Sequence, residues 1–226
     1  MKALVLCAFL LAACRPSDGG SQAAPPRGGS SAPAAAATGD ALLEAADAGR
    51  IQGDTAAPVW LVEISDFQCP FCKRWHDETY PAIKRDYIDA GIVRMAYVNL
   101  PLSIHPHAEP AAEAALCASA QGRFWPVHDA LFRTQERWTP MNDARALFDS
   151  IALASGIDAA QYRSCMDSDA MIRVINGDRE RAANAGVRPT PTFFVGGERI
   201  EGAAPLDVFV AAISRARARA ATRPRP

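Results

Sequence analysis

The segment VEISDFQCPFCKRW, residues 62–75, decides the fold, because an apolar run ends at two cysteines and a helical pattern follows them. Residues 58–67 are rich in Val, Leu and Ile, which predicts a buried β-strand. Pro70 stands where a helix accepts proline, since the first helical turn has no partner for the missing N–H. The segment therefore predicts a strand that leads into a helix, with Cys69 and Cys72 at the junction.

The rest of the chain surrounds this junction with a recognisable order of elements. Residues 92–98 predict a second strand, so strand, helix and strand form a parallel βαβ unit. About 80 residues of helical pattern follow, and Gly196-Gly197 then marks a β-hairpin before a last helix from residue 206. This order predicts an α/β, thioredoxin-like fold over residues 40–220, in which a βαβ and a ββα half share a sheet and a helical insertion occupies about 105–185. Other α/β folds can have the same order of elements.

The N-terminus has the pattern of a lipoprotein signal peptide. Lys2 precedes an apolar stretch that is too short to span a bilayer and has the length of a signal-peptide core. The sequence LAAC at residues 11–14 resembles a bacterial lipobox, so we expect a signal peptide over residues 1–13 and lipidation of Cys14. The alternative is ordinary cleavage nearby, which would give a soluble periplasmic protein.

Residues 14–39 are expected to form a flexible linker. Twenty of the 25 residues from 15 to 39 are Gly, Pro, Ser or Ala, a composition that cannot bury a core. A spacer after a lipidated cysteine would lift a domain away from a membrane. The formal net charge of −1 argues against a nucleic-acid partner.

The cysteine count indicates an oxidising compartment. The chain has six cysteines, and removing Cys7 with the signal peptide and Cys14 by lipidation leaves an even number, which suggests two disulfides. Besides the Cys69–Cys72 pair, Cys117 and Cys165 are predicted to form a structural disulfide that clamps the helical insertion. The alternative is two separate buried thiols.

The position of Cys69 and Cys72 suits thiol–disulfide chemistry. The thiolate is the nucleophile, and a helix N-terminus lowers a cysteine pKa through its dipole and free N–H groups. Cys69 would be the exposed attacking sulfur, and Cys72, partly buried one turn later, would resolve the mixed disulfide. The pair is its own redox centre, so we expect no metal and no organic cofactor.

The cysteine pair has two alternative interpretations, a zinc site and a pair of inert thiols. A zinc site usually needs a second close pair of ligands, whereas His105 and His107 bracket a proline in a loop and pair poorly with any cysteine by spacing. Inert buried thiols are the other alternative, but two free cysteines at a helix N-terminus of an exported protein would oxidise.

Three segments together resemble the DsbA-like thiol:disulfide oxidoreductases of the thioredoxin superfamily. They are VEISDFQCPFC at 62–72, HPHAEPAAEAALCASAQGRFWPVHDALF at 105–132 and GVRPTPTFFVGGERIEG at 186–202. The first matches the family's active-site segment, the second its helical insertion and the third its cis-proline segment. The resemblance covers about residues 55–215, and three matches in the right order are far more specific than a CxxC pair alone.

The resemblance implies further site residues. Pro191 would be the cis-proline that faces the cysteine pair, and the Thr190 backbone would pair with an extended substrate peptide. The alternative is that the prolines only stiffen a loop. Glu63 would lie under the active site and take the proton as Cys72 attacks, and its alternative is a glutamate at a strand end that faces solvent.

The two residues between the cysteines depart from the family's strong oxidants. Those members carry a histidine in place of Phe71, and a phenylalanine cannot donate a hydrogen bond to the Cys69 thiolate. We therefore expect a milder oxidant. Pro70, Phe71 and Trp75 are predicted to form an apolar rim for substrate, and the alternative for Trp75 is a core position.

The resulting hypothesis is an exported thiol:disulfide oxidoreductase that forms disulfides in cysteine-containing exported proteins. It would be a monomer held by a lipid anchor on the periplasmic side of the bacterial cell envelope, and a membrane redox partner would recharge it. The alternatives within the enzyme class are a periplasmic reductase or isomerase. Outside that class, the alternatives are a non-catalytic thioredoxin-like chaperone and a metal-delivery lipoprotein.

Overall fold

The computed structural model of the protein describes residues 39–222. The predicted signal peptide (residues 1–13), the predicted lipidation site Cys14 and the predicted linker as far as residue 38 lie outside the described residues. Within the described range, no helix combines the length and the apolar character that crossing a bilayer requires.

A five-stranded mixed sheet lies at the centre of the fold, in the order β1-β3-β2-β4-β5. Its strands are β1 (Ile51–Gln52), β2 (Val59–Ser65), β3 (Val93–Asn99), β4 (Thr192–Val195) and β5 (Glu198–Glu201). β2 and β3 are parallel, and the other neighbouring pairs are antiparallel. The predicted α/β, thioredoxin-like fold is confirmed, whereas the short edge strand β1 was not predicted.

The helical region after the cysteines divides into three pieces. They are α2 (Pro70–Glu78), α3 (Tyr80–Ile83) and a π-helical turn (Lys84–Ile88). The apolar residues Phe71, Trp75 and Tyr80, with charged residues between them, predict a single helix after Pro70 as far as Pro81 or Tyr87. The division falls before Pro81, because proline cannot donate the backbone hydrogen bond of a continuous helix and is tolerated only in a first turn.

A block of helices lies between β3 and β4, where the helical insertion was predicted. It comprises α4 (Ala108–Ser119), α5 (Phe124–Arg133), α6 (Gln135–Trp138), α7 (Arg145–Ala154), α8 (Ala159–Asp167) and α9 (Ile172–Asn184). The apolar side chains of this block share one buried core with Phe67, Cys69, Cys72 and Tyr97. The block therefore packs directly against the cysteine segment.

A disulfide joins Cys117 on α4 to Cys165 on α8, with 5.8 Å between their Cα atoms. Both residues are buried. The cross-link spans 48 residues of the helical block, and closing such a loop stabilises a fold mainly by restricting the unfolded chain. In this structure the two cysteines are therefore one clamp rather than two separate thiols.

The β4–β5 hairpin and the last helix complete the sheet. Gly196 and Gly197 form the turn with φ values of 55° and 91°, a left-handed backbone that two-residue hairpins favour. A Cβ added at Gly196 would lie 2.5 Å from the Cβ of Ala216, so glycine also allows the hairpin to approach α10. The sequence pattern predicts a last helix from Leu206 to Arg215 or beyond, and α10 spans Leu206–Ala221.

The prediction that Trp75 lines a substrate rim is wrong. Trp75 is 1% exposed and lies in the core between the sheet and α10. Its ring centroid is 4.5 Å from that of Phe193 and 5.7 Å from that of Phe209. Trp75 stands one helical turn beyond Cys72 on the inward face of α2, so the position that buries Cys72 also directs the indole into the core.

A buried ionic network ties the first helix to the sheet and to α9. Asp178 is fully buried on α9, and its carboxylate accepts hydrogen bonds from the Arg50 guanidinium and from Arg181. It also accepts from the backbone N–H of Asn99 at 2.9 Å and from the Asn99 side chain at 3.1 Å. Arg50 follows α1 (Gly39–Gly49) and in turn contacts Asp47. A single carboxylate therefore holds α1, β3 and α9 together.

Candidate active site

Cys69 and Cys72 lie at the start of α2, as the sequence predicts. Cys69 is the residue that caps the helix, with an extended backbone, and Pro70 occupies the first turn. The Cys69 carbonyl accepts the first helical hydrogen bond from Lys73 N–H at 3.1 Å. Both cysteines carry free thiols in this structure, so it represents the reduced form of the pair.

The prediction that Cys69 is exposed is wrong. Cys69 is 3% exposed and Cys72 is fully buried. The reason is a contact between segments distant in sequence: the Cys69 thiol donates to the Thr190 carbonyl at 3.4 Å, across 121 residues. The exposed neighbours Pro70 and Phe71, the latter 53% exposed, form the rim of this almost closed site.

The Thr190–Pro191 peptide bond is cis and leads directly into β4. Thr190 is 7% exposed, and its carbonyl faces the Cys69 thiol. β4 pairs with β2, which precedes the cysteine segment, and so the sheet brings the proline segment beside Cys69. The sequence-predicted residues Cys69, Cys72, Thr190 and Pro191 therefore meet in one place.

The two thiols differ sharply in acidity. The pKa of Cys69 is lowered to about 6, and hydrogen bonding from the Cys72 thiol is the largest cause. The Thr190 side chain and the backbone N–H groups of Cys72 and Phe71 act in the same direction, against the effect of burial. Burial raises the pKa of Cys72 well above its usual value, and its proximity to the Cys69 thiolate raises it further. Cys69 is therefore the more acidic thiol of the pair, and Cys72 is the one that keeps its proton at neutral pH.

We expect the Cys69 thiol of the reduced protein to titrate with a pKa of about 6, well below the value of about 8.5 for a free cysteine. The measurement is the ultraviolet thiolate absorbance, or the alkylation rate, as a function of pH. The Cys72→Ala variant is the matched comparison, and its Cys69 pKa should rise because the principal hydrogen bond is lost. A wild-type midpoint at the free-cysteine value would contradict this expectation.

The loop between β2 and α2 is fixed by polar side chains that the sequence analysis did not identify. Asp66 accepts hydrogen bonds from the backbone of Gln68 at 2.7 Å and of Leu102 at 2.9 Å, and its Oδ2 lies 2.7 Å from the His105 ring. An Asp side chain that accepts from the N–H two residues later, as Asp66 does from Gln68, forms an Asx turn. Asp is a residue type that favours this turn, so the sequence contained a signal for it.

Gln135 from the helical block completes the support of this loop. Its side-chain amide donates to the carbonyls of Phe67 at 2.7 Å and Cys69 at 3.0 Å. No local pattern marks Gln135, because its role depends on the packing of α6 against the cysteine segment. The loop that carries the redox pair is therefore held from both the sheet and the inserted helices.

Glu63 is fully buried on β2, on the strand that leads to the cysteines. Neither carboxylate oxygen has a hydrogen-bond partner among the described residues. Burial raises the pKa of Glu63 to about 8. The Ser65 hydroxyl makes no hydrogen bond of standard geometry, but it acts to lower both the pKa of Glu63 and the pKa of Cys72. Ser65 thus lies near both groups. The predicted alternative for Glu63, a side chain that faces solvent, does not match its position.

We expect the Glu63→Gln variant to gain stability relative to the wild type as the pH rises. Between about pH 4.5 and pH 8 the folded protein keeps a proton on Glu63 that the unfolded chain has released, so wild-type stability falls across this range. The difference should be on the order of 3 kcal/mol at pH 7 and small below pH 4.5. Urea unfolding of the oxidised proteins at several pH values measures it.

The Glu78→Gln variant is the control, because Glu78 is exposed at the end of α2 and the substitution removes one carboxylate from the surface. Its stability difference from the wild type should stay nearly constant with pH. If the Glu63→Gln difference also stays constant, the carboxyl group does not hold its proton at neutral pH.

Comparisons with known proteins agree with this geometry. The sequence profile of a family described as Thioredoxin matches residues 45–215. The chain is 29% identical over 148 residues to the probable disulfide bond formation protein D of Bacillus anthracis, covering 64% of this chain and 68% of that protein. The crystal structure of oxidised BdbD from Bacillus subtilis superposes with a TM-score of 0.68 at 25% identity, covering 75% of this chain and 93% of that one.

A second kind of relative is much longer than this chain. The Na(+)/H(+) antiporter NhaA 3 of Salinispora tropica is 35% identical over 179 residues, which is 79% of this chain but 26% of the antiporter. The chain thus spans about a quarter of that protein's length.

The family match covers most of the chain and includes both cysteines and the cis-proline segment. The chain therefore belongs to the thioredoxin family, and it is similar to a relative that is named for disulfide bond formation.

Proposed function

We propose that the protein forms disulfides in exported, cysteine-containing proteins through the Cys69–Cys72 pair. The observation that carries this proposal is the position of Cys69 at a helix N-terminus beside the Cys72 thiol, an arrangement that lowers the pKa of Cys69. A low pKa stabilises the reduced form of the pair, because the released sulfur remains as a thiolate. Stabilising the reduced form makes the disulfide form an oxidant.

In the first step a substrate thiolate attacks the Cys69 sulfur of the oxidised pair. A mixed disulfide forms, the Cys69–Cys72 bond breaks and the electron pair leaves on Cys72. The pKa of Cys72 is raised well above its usual value by burial, so this sulfur takes up a proton. Glu63, protonated at neutral pH because burial raises its pKa to about 8, is the proton donor in this proposal.

In the second step a second substrate thiolate attacks the substrate sulfur of the mixed disulfide. The substrate disulfide forms, and Cys69 leaves as a thiolate, which its pKa of about 6 favours. The substrate loses two electrons and the Cys69–Cys72 pair gains them. The pair is then a dithiol, and a membrane redox partner must oxidise it before the next cycle.

Substrate is proposed to bind as an extended peptide beside the cis-proline segment. The backbone at Thr190 would pair with the peptide as an added strand. Phe71 is 53% exposed and Ile104, in the loop anchored by Asp66, is 78% exposed. These two side chains and Pro70 offer an apolar surface suited to unfolded chains, which expose apolar residues.

A reductase or isomerase is the second candidate, and Phe71 favours it. Its ring has no hydrogen-bond donor for the Cys69 thiolate, and the Arg74 guanidinium lies over that ring, 5.1 Å from the centroid. A less stabilised thiolate makes a weaker oxidant. The direction of electron flow therefore depends on how far the remaining hydrogen bonds stabilise Cys69.

The reduction potential of the Cys69–Cys72 pair separates disulfide formation from disulfide reduction. Equilibration with glutathione buffers should give about −120 to −180 mV, the range of oxidants and isomerases. A value near about −270 mV, typical of thioredoxin, would instead make the protein a reductant that needs an electron supply. The absence of any reversible two-electron transition would exclude the oxidoreductase function.

The cellular location is proposed from the N-terminal sequence. The LAAC segment at residues 11–14 supports lipidation of Cys14, which would hold a monomeric domain on the periplasmic side of the envelope. Metabolic labelling with a radioactive fatty acid tests this. The label should appear on the wild type and be absent from the Cys14→Ser variant, and an unlabelled wild type would favour a soluble periplasmic protein.

A further inference from the structure

A group of metal-binding side chains lies between α2 and α5, and the redox chemistry does not use it. It consists of His76 on α2 and His128 and Asp129 on α5, whose ligand atoms all lie within 4.8 Å of one another. Asp129 Oδ1 is 2.8 Å from His128 Nδ1 and 3.4 Å from His76 Nε2. A tetrahedral ion with bonds of about 2.1 Å separates its ligand atoms by roughly 3.4 Å. The distance between Asp129 and His76 matches this value, and the shorter contact between Asp129 and His128 would lengthen when an ion binds.

The imidazole of His76 is already oriented for such a role. Its other nitrogen, Nδ1, lies 2.9 Å from Asp77 Oδ1, which directs Nε2 toward Asp129. Metal-binding histidines commonly hold their second nitrogen against a carboxylate in this way, because the contact fixes the tautomer and makes the ligand more basic. Asp77 is therefore an outer partner of the cluster rather than a member of it.

The surroundings also suit a bound ion. Phe132 stacks on His76 with ring centroids 5.0 Å apart, and Tyr97 and Trp125 place ring edges against His128 at 5.1 and 5.0 Å. His128 is fully buried, and its Nδ1 is the nitrogen that faces Asp129. The Asp129 side chain is 35% exposed and leaves an entry path from solvent.

We propose that His76, His128 and Asp129 bind a divalent transition-metal ion of the zinc class, with solvent in the fourth position. Two imidazole nitrogens and one carboxylate oxygen are typical ligands of Zn2+ and of its neighbours Co2+, Ni2+ and Cu2+. The ion would replace the hydrogens that the two imidazoles share with Asp129. It would join α2, which carries Cys69 and Cys72, to the helical block.

This site is independent of the proposed oxidoreductase function. It uses neither cysteine and moves no electron, so each proposal can fail without the other. The simpler alternative is that Asp129 only satisfies the two histidines by hydrogen bonding. The two interpretations differ in one observable, which is the affinity of the folded protein for the ion.

The test is calorimetric titration of untagged, oxidised protein with Zn2+, together with the visible absorption spectrum of the Co2+ form. Oxidised protein is used because the Cys69–Cys72 disulfide has no thiolate to bind the ion. We expect one equivalent of Zn2+ to bind, a Co2+ spectrum without thiolate charge-transfer bands, and a higher unfolding temperature with Zn2+. A dissociation constant for Zn2+ above about 1 mM would overturn the proposal.

Variants locate the binding. His76→Gln and Asp129→Asn should each remove Zn2+ binding and its effect on unfolding temperature, and Asp77→Asn should weaken it about 10- to 100-fold. His107→Gln is the control, because His107 and His76 are buried to a similar degree: His107 is 8% exposed and His76 is 9% exposed. Binding that survives both ligand substitutions, or that His107→Gln removes equally, would place the ion elsewhere and contradict the proposal.

Discussion

Replacing Cys69 by serine is expected to abolish thiol–disulfide exchange completely, whereas replacing Cys72 by serine should stop the reaction at a trapped mixed disulfide. Cys69 is the acidic thiol, with a pKa of about 6, and lies at the rim formed by Pro70 and Phe71. Cys72 is fully buried, and burial raises its pKa well above the usual value. Cys72 alone therefore offers no thiolate at neutral pH and cannot reach substrate.

The measurement combines two assays. The first follows disulfide formation in a reduced, unfolded substrate protein by the oxidised enzyme, and both variants should be inactive in it. The second incubates each reduced variant with a disulfide-containing peptide and detects the mixed disulfide by mass spectrometry. The Cys72→Ser variant should accumulate it and the Cys69→Ser variant should not.

A matched control is available in the same chain. The Cys117→Ser, Cys165→Ser double variant removes the clamp between α4 and α8 but leaves the redox pair, so it should retain exchange at temperatures where it stays folded. If the Cys69→Ser variant instead keeps its role in cells, the protein acts as a chaperone whose cysteines are dispensable. A mixed disulfide on Cys72 in that variant would reverse the assignment of nucleophile and resolving thiol.

The second large effect concerns the stability of the fold. Asp178→Ala is expected to destabilise the protein by about 3–5 kcal/mol, because it leaves the buried Arg50 guanidinium without its principal partner. The substitution also removes two hydrogen bonds to Asn99. The unfolding temperature should fall by roughly 6–20 °C for a domain of this size. Thermal and urea unfolding of the oxidised protein measure both quantities.

Arg181→Ala is the control for this effect. Arg181 bonds the same carboxylate, but its side chain is 59% exposed, and exposed ion pairs contribute about 0–1 kcal/mol. Arg50 and Asn99 remain bonded to Asp178 in that variant, so the loss should be small. Equal losses for Asp178→Ala and Arg181→Ala would mean that the buried network does not determine stability.

Much of the fold follows from patterns that are local in sequence. The apolar run of residues 58–67, the proline after Cys69 and the Gly196-Gly197 turn each specify their own element, because strand, helix-start and hairpin preferences depend on neighbouring residues. The helical insertion is similarly marked by its apolar spacing. The prediction was wrong where two local signals compete. The apolar pattern predicts one continuous helix after Pro70, whereas Pro81 divides that helix.

Burial within the site depended on contacts that no local pattern contains. Trp75 and Phe71 are both apolar residues of α2, yet Trp75 is 1% and Phe71 53% exposed. The difference arises because β4 and α10, far along the chain, pack only on the face that Trp75 occupies. Cys69 is covered for the same reason, since the segment that covers it is distant in sequence.

The sequence by itself determined the class of fold and the position of Cys69 and Cys72 at the start of a helix, because both depend on residue type and spacing along the chain. The tertiary structure decided the chemistry around them. It set the pKa of Glu63 by removing water from a strand residue, and it placed the Thr190 carbonyl 3.4 Å from Cys69. It also brought His76 and His128 to one carboxylate. Desolvation and long-range contact are properties of packed surfaces, which appear only when separate elements meet.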